Sequence, residues 1–274
     1  LACHRLEDIS NLPMLNFARI GVVARNVFLE VIRDRILYLA GVFAVVMVMA
    51  SVMLPEVAAG TDTKILLDLG LAAINLFTLV VAVFVGTGLV NKEIEKKTVL
   101  VLIAKPVSRF EIILGKHLGL AAVIGVLLLV QTGIFILILT VRQLEFPAGS
   151  MLVAIAFMYL EMLLIIAVTI TFGVFTSSLL ATLLSFGTYI IGHLSTFLLE
   201  LSQLADTGSL KRAVEIMYIF LPDLERLNLK NDAIYGFGAF SASPTTLTIN
   251  ALYGLLYTAL LLIIAGNIFN RRQF

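Results

Sequence analysis

The chain has 274 residues, of which 60% are hydrophobic and 14% charged, and its 19 Lys and Arg against 18 Asp and Glu leave a formal net charge of +1. Uncharged runs this long exceed what a soluble domain of this size can bury, so the composition indicates an integral membrane protein and gives no support for nucleic-acid binding. The single cysteine, Cys3, excludes an internal disulfide and a cysteine-rich metal site, and no polar stretch is long enough for a separate soluble catalytic domain.

Residues 1–35 read as a cytoplasmic N-terminus with an amphipathic elbow helix. The opening LACHRLEDIS carries charge where a signal peptide carries its apolar core, so no cleavable signal is expected. From Asn16 to Arg35, Phe17, Ile20, Ala24, Val27, Phe28 and Val31 recur at spacings of three and four, with Arg19, Asn26, Glu30 and Arg33 on the other face. Such a helix just before a span is expected to lie in the interfacial plane, the alternative being a continuation of the first span into the cytoplasm.

Residues 36–270 read as an all-α domain of six transmembrane helices. Span one, 36–54, is uncharged throughout and long enough to cross a core of about 30 Å, with Pro55 expected to end it. Span two covers 69–90 with Asp68 at its entrance, and span three covers 118–141, closed by Arg142. Between them lies the charged segment 91–116. From Met151 to Leu199, Glu161 and His193 are the ionisable groups in a stretch too long for one helix. The polar turn Thr176-Ser177-Ser178 divides it into span four, 151–175, and span five, 179–199. Residues 200–245 form an extracytoplasmic loop, in which the apolar piece Ala213 to Leu221, stopped by Pro222, reads as a short interfacial or re-entrant helix. Span six, 246–269, is followed by Arg271 and Arg272.

Six spans put both termini on one side. Thirteen basic residues accompany the termini and segment 91–116, against six on the opposite side (Lys64, Arg142, Lys211, Arg212, Arg226 and Lys230), so both termini are expected to be cytoplasmic.

Within segment 91–116, Glu93, Glu95, Lys96 and Lys97 precede Val99, Leu100, Leu102 and Ile103, and Pro106 forbids continuation of that helix. Ser108 stands where it caps a new helix, with Glu111 as capping-box partner, and the new helix leads into span three. A short helix and sharp turn joined to a span at each end can pass a push from a soluble partner into the membrane. A solvated basic loop is the plainer alternative. Gly115-Lys116 does not complete a phosphate-binding loop, because Phe110 stands where G-x-x-x-x-G-K requires Gly and no strand precedes it. ATP chemistry therefore belongs to a partner, and no catalytic residue is assigned.

Glu161 lies mid-span, where an acid costs about 2.5–3.5 kcal/mol on insertion scales, so it needs a partner inside the bundle. His193, Asn75 and Gln131 are the candidates for an intramembrane polar site serving either transport or structure. His4, His117 and His193 are too dispersed to build a metal site, and none is assigned. Gly115, Gly119, Gly125 and Gly133 offer close packing along span three.

The run Glu95-x-x-Thr98-Val99-x-x-Leu102-x-x-Lys105-Pro106-Val107-Ser108-Arg109, followed by Gly115-Lys116, resembles the signature of ATP-binding-cassette (ABC) permeases of the six-span type-2 export family. Within that family it is similar to permeases for multicopper enzyme maturation. The amphipathic helix with Arg33-Asp34-Arg35, the six-span plan and Leu221-Pro222-Asp223-Leu224-Glu225-Arg226 extend the resemblance over most of the chain. Lys97 departs from it, since many relatives have Gly before the Thr.

The resemblance implies that 91–116 is a coupling segment docking on a separate ABC ATP-binding subunit, which the N-terminal helix also contacts. Glu93, Glu95, Thr98 and Leu102 would form the docking surface, and Pro106, Ser108 and Arg109 the turn that passes motion to span three. It further implies a dimer with a second permease copy, identical or paralogous, in a bacterial plasma (inner) membrane. ATP and Mg would sit on the ATPase subunit, with no cofactor on this chain. An unidentified substrate would be exported along a path lined by apolar groups of spans one, two and five.

Two other function classes stand beside this reading. One is an ion-coupled secondary transporter with Asp68 and Glu161 as proton or sodium sites, against which no inverted repeat of broken helices is seen. The other is a non-transporting membrane anchor or mechanotransmitter driven by an ATPase.

Overall fold

In lipid, backbone N–H and C=O groups find no water, so long apolar runs that lack a mid-run Pro resolve into helices whose hydrogen bonds are internal. The computed structural model describes residues 16–34, 37–57, 62–95, 108–195, 197, 221–235 and 243–271. Among these residues the regular elements are all helical. They are α1 (Phe17–Arg33), α2 (Leu37–Val57), α3 (Asp62–Glu95), α4 (Arg109–Val141), α5 (Ala148–Phe175), α6 (Ser178–His193), a single 3₁₀ turn (Glu225–Leu227), α7 (Lys230–Tyr235) and α8 (Pro244–Arg271). Five of them, α2, α3, α4, α5 and α8, are long and apolar enough to cross a membrane, and the chain is a multi-pass membrane protein.

Helix α5 is the axis of the bundle. It is buried on all sides from Leu164 to Thr171 and packs against α3, α4, α6, α7 and α8. Helix α4 runs antiparallel to it, with the Tyr159 hydroxyl donating to the Ala121 carbonyl (3.2 Å) and His117 Nε2 3.0 Å from the Leu163 carbonyl. On the periphery α2 turns Ala40, Phe43 and Met47 inward and leaves Val45, Val48, Met49, Val52 and Met53 exposed, the surface expected of a helix bordered by lipid.

Several boundaries differ from the sequence expectation. Helix α2 continues past Pro55 to Val57. Proline has no N–H to donate to the carbonyl four residues back, and that carbonyl, on Ser51, accepts from the Arg142 guanidinium instead. Helix α3 begins at Asp62 rather than residue 69 and runs to Glu95. Lys64 and Asp68, four residues apart, both stay on its exposed face, so the entrance charges extend the helix instead of delimiting it.

Of the stretch expected as span five, 179–199, the unbroken described helix is Ser178 to His193, about 24 Å at 1.5 Å per residue, with a bend at Leu194 and helical backbone again at Ser195 and Phe197. The returning chain packs at this bend. The Leu224 N–H donates to the Gly192 carbonyl (3.1 Å), and a Cβ on Gly192 would lie 2.8 Å from both the Pro222 oxygen and the Leu224 side chain. Residues 221–235 fold onto the bundle end with Leu224, Leu227, Leu229, Ala233 and Ile234 buried. Most of the piece 213–221 lies outside the described residues.

Helix α1 packs along the start of α4 and parallel to it, rather than standing apart. Gly115 faces Val23 and the Ile20 carbonyl, and Gly119 faces the Ala24 carbonyl and Val27. A Cβ would lie 2.6 Å from Val23 at Gly115 and 2.6 Å from the Ala24 carbonyl at Gly119, so the bare backbone lets the two helices meet. The docked face is Ile20, Val27 and Val31, with Val23 and Ala24 partly covered. Phe17, expected on that face, is 81% exposed, because the glycine seat begins one turn further along.

Candidate functional site

The first two turns of α4 tie three other helices together. Ser108 adopts extended backbone (φ −70, ψ 149) and caps α4, its hydroxyl accepting from the Glu111 N–H (3.1 Å). The Glu111 carboxylate closes the capping box by accepting from the Ser108 N–H through Oε2 (2.8 Å). Its Oε1 accepts from the backbone N–H of Asn16 (2.9 Å), the residue that caps α1 through its own side chain. One carboxylate, 1% exposed, thus serves two helix N-termini, where backbone N–H groups and the helix dipoles both favour a negative charge. Arg19 on α1 is the nearby cation acting on it.

Two residues earlier the Arg109 guanidinium donates to the Phe269 carbonyl in the last turn of α8 (2.9 Å) and lies over the Phe269 ring (5.8 Å). A cation there complements the C-terminal end of that helix. Phe110 beside it occupies the space left by Gly266 of α8. Nearly two turns after Arg109, the buried Lys116 donates its Nζ to the Leu89 carbonyl of α3 (2.6 Å). The start of α4 is therefore bonded to α1 through Glu111, to α8 through Arg109 and to α3 through Lys116, and α4, 33 residues in all, continues from there to the other end of the bundle.

Of the residues expected to form the coupling segment, Ser108 and Arg109 stand at this junction. Glu93 and Glu95 fall in the last turn of α3, where the backbone alone is described, and Thr98, Leu102 and Pro106 lie outside the described residues.

The second site is a buried polar network between α3, α5 and α6. The Tyr189 hydroxyl donates to Asn75 Oδ1 (2.6 Å), which turns Asn75 Nδ2 toward Glu161 Oε2 at a long 3.4 Å. His193 Nε2 lies 3.4 Å from Glu161 Oε1, and its Nδ1 is 3.1 Å from the Tyr189 carbonyl. Asn75 and His193 thus both meet Glu161. Gln131 does not, since it accepts from Thr78 (3.0 Å) one turn along α3 from Asn75. Asp68 is exposed on α3, outside the network. Among the described residues no three His, Cys, Asp or Glu side chains are grouped as metal ligands.

The network is closed by the returning chain. Asp223 accepts from Ser195 (2.8 Å) and Arg226 (2.9 Å), its N–H donates to the Tyr253 hydroxyl (2.9 Å), and Arg226 stacks on the Tyr253 ring (5.2 Å). In the run Leu221 to Arg226, singled out by resemblance, Asp223 and Arg226 fasten the segment to α6 and α8, with Leu224 fully buried beneath them.

On the sequence alone, Asn16, Lys116 and Tyr189 have no role at either site. Asn16 at the head of an amphipathic helix is a recognisable cap, and Tyr189 four residues before His193 shares its helix face. Lys116, next to a span, reads as one more positive-inside charge.

Residues 22–274 match the family model described as ABC-2 family transporter protein. Compared with individually curated proteins, the chain finds no match.

Proposed function

The chain belongs to the ABC-2 transporter family, and from that premise we propose that it is the membrane subunit of an ABC exporter driven by ATP hydrolysed on a separate subunit. The observation that carries the reading is the junction at the start of α4. A partner pushing on the end of α3 and the beginning of α4 acts at once on α1 through Glu111, on α8 through Arg109 and on α3 through Lys116. Motion reaches the whole bundle without requiring the apolar core to deform.

In this reading 179–199 makes the fifth of six crossings, and both termini lie in the cytoplasm of a bacterial inner membrane. Glu93, Glu95, Thr98 and Leu102 face the ATPase, which carries ATP and Mg, and Pro106, Ser108 and Arg109 relay its movement. The permease works as a dimer and contributes no catalytic residue of its own. The setting implied by resemblance, maturation of multicopper enzymes, is tested by whether loss of the chain leaves such an enzyme inactive.

The deciding experiment is purification of the tagged chain from its native membrane in mild detergent. Recovery of an ABC ATP-binding subunit in equal amount, lost in the Glu95→Arg, Leu102→Asp double variant, supports the reading. Recovery of an intact oligomer of this chain alone overturns it. The buried Glu161 network favours a second reading, an ion-coupled carrier. For that reading Glu161→Gln stops transport while leaving assembly intact, and unchanged transport sinks it.

A further inference from the structure

We propose that Glu161 and His193 form a proton-binding site inside the bundle. One proton is held between Oε1 and Nε2, and it fastens the end of α6, with the 221–235 segment docked on it, to α5. The inference is independent of the ATPase-coupled reading.

The argument begins with the Tyr189 carbonyl, which can only accept. His193 Nδ1, 3.1 Å away, therefore carries a hydrogen, and in the neutral ring Nε2 presents a lone pair. That lone pair faces Glu161 Oε1 at 3.4 Å, and neither atom has a hydrogen-bond partner among the described residues. Ionised carboxylate against neutral imidazole would set two acceptors against each other in a site where Glu161 is 1% exposed. One added proton satisfies both atoms, whichever of them carries it, and when Nε2 carries it the contact is a charge-assisted hydrogen bond. No other bond forms or breaks, and the proton comes from the medium. The imidazole, 18% exposed where the carboxylate is sealed, is the side from which it enters.

The surroundings leave the proton to this pair. On α3 the neighbour is Asn75, which does not titrate. Its Oδ1 is taken by the Tyr189 hydroxyl, so it offers Glu161 a single long N–H. On α4, Gln131 is turned to Thr78. From the returning chain the charges that reach the pair are Asp223, Glu225 and Lys230. Asp223 is held by Ser195 and Arg226, and Glu225 accepts from Asn228 (3.1 Å), so both acids already have donors of their own.

The consequence is mechanical. His193 is the last residue of α6, the Gly192 carbonyl before it accepts from the Leu224 N–H, and Ser195 just beyond donates to Asp223. Losing the proton puts like-natured atoms in contact at the point where the 221–235 segment is pinned. The segment is firm while the proton is present and loosens as rising pH removes it.

The test uses the full chain in lipid bilayers with its histidines ¹⁵N-labelled. There are only three, and His193→Gln identifies the resonance. The expected result is an Nε2 signal that shifts with pH as the proton enters, by protonation or by accepting from the Glu161 carboxyl, a change abolished in Glu161→Gln. Amide exchange in 221–235, corrected for intrinsic rate, should rise about tenfold or more once the proton is lost. The Gln amide donates to Nε2 permanently, so in Glu161→Gln the segment should stay slow at every pH, an outcome opposite to simple damage. An Nε2 signal constant across the pH range overturns the proposal. So does pH-dependent exchange that persists unchanged in Glu161→Gln, or loosening governed by sodium at fixed pH.

Discussion

Replacing Glu111 by Gln tests whether one carboxylate holds α1 to α4. The wild-type oxygens accept from the Asn16 and Ser108 N–H groups at 2.9 and 2.8 Å, and the side chain is buried. Gln is nearly the same shape and keeps one acceptor, but its NH₂ must face the other backbone N–H, donor against donor. A hydrogen bond to a charged group contributes about 1.5–3 kcal/mol. A negative charge at a helix N-terminus adds about 0.3–1 kcal/mol, counted once for the terminus of α1. Together these give a loss of about 2–4 kcal/mol, or roughly thirty- to thousandfold in the docking equilibrium of α1. Hydrogen exchange in bilayers should show peptides of α1 exchanging faster by that factor, while α5 is unchanged. Ser108→Ala provides the contrast. It removes the cap on the Glu111 N–H, costing about 1 kcal/mol in α4, but leaves the Asn16 bond in place. If α1 exchanges equally in Glu111→Gln and wild type, or equally in the two variants, the shared carboxylate is not what holds the helix.

Three further outcomes follow from the packing. Gly119→Ala drives a Cβ to 2.6 Å from the Ala24 carbonyl and should cost about 1–3 kcal/mol in thermal unfolding, whereas Gly133→Ala, with nothing within 4 Å, should be neutral or gain up to about 1 kcal/mol. Pro55→Ala returns an N–H to the Ser51 carbonyl, so Arg142→Ala should cost about 1–2 kcal/mol less in that background, read as the coupling energy of a double-mutant cycle. Burial pushes the Asp232 carboxyl above the ordinary aspartate range, and its Oδ1 has no partner among the described residues. A raised value means the fold favours the protonated form, so ionisation weakens α7 as pH rises above the ordinary value of about 3.9. Asp232→Asn should then slow α7 exchange at neutral pH, with the two proteins converging on acidification.

The parts legible in the sequence are those decided within about four residues. The capping box needs only Ser108 and Glu111 on adjacent positions of one turn, and both of its halves are present. The break after Phe175 lies at Thr176 and Ser177, where hydroxyls compete with the helix for backbone partners, as when Thr176 donates to the Phe172 carbonyl (2.8 Å). The apolar runs specify helices because lipid leaves no alternative for the backbone. The character of Glu161 as an acid in need of a partner follows from insertion cost alone.

Tertiary structure decided which groups meet, and it did so through helix rotation and depth, which hydropathy does not encode. Glu111 has two oxygens; the sequence pairs one with Ser108, but only docking of α1 brings Asn16, 95 positions away, to the other. Phe17 obeys the helical period and is nonetheless exposed, because Gly115 and Gly119 place the seat of α1 beyond it. Pro55 signals a helix end by its missing N–H, yet Arg142 of another helix satisfies the carbonyl left over and the helix goes on. A candidate partner of Glu161, Gln131, is claimed by Thr78, while Tyr189 enters the network. Residues 221–224 fold back on Gly192, a contact between parts distant in sequence that hydropathy does not announce, beside the point where His193 meets Glu161.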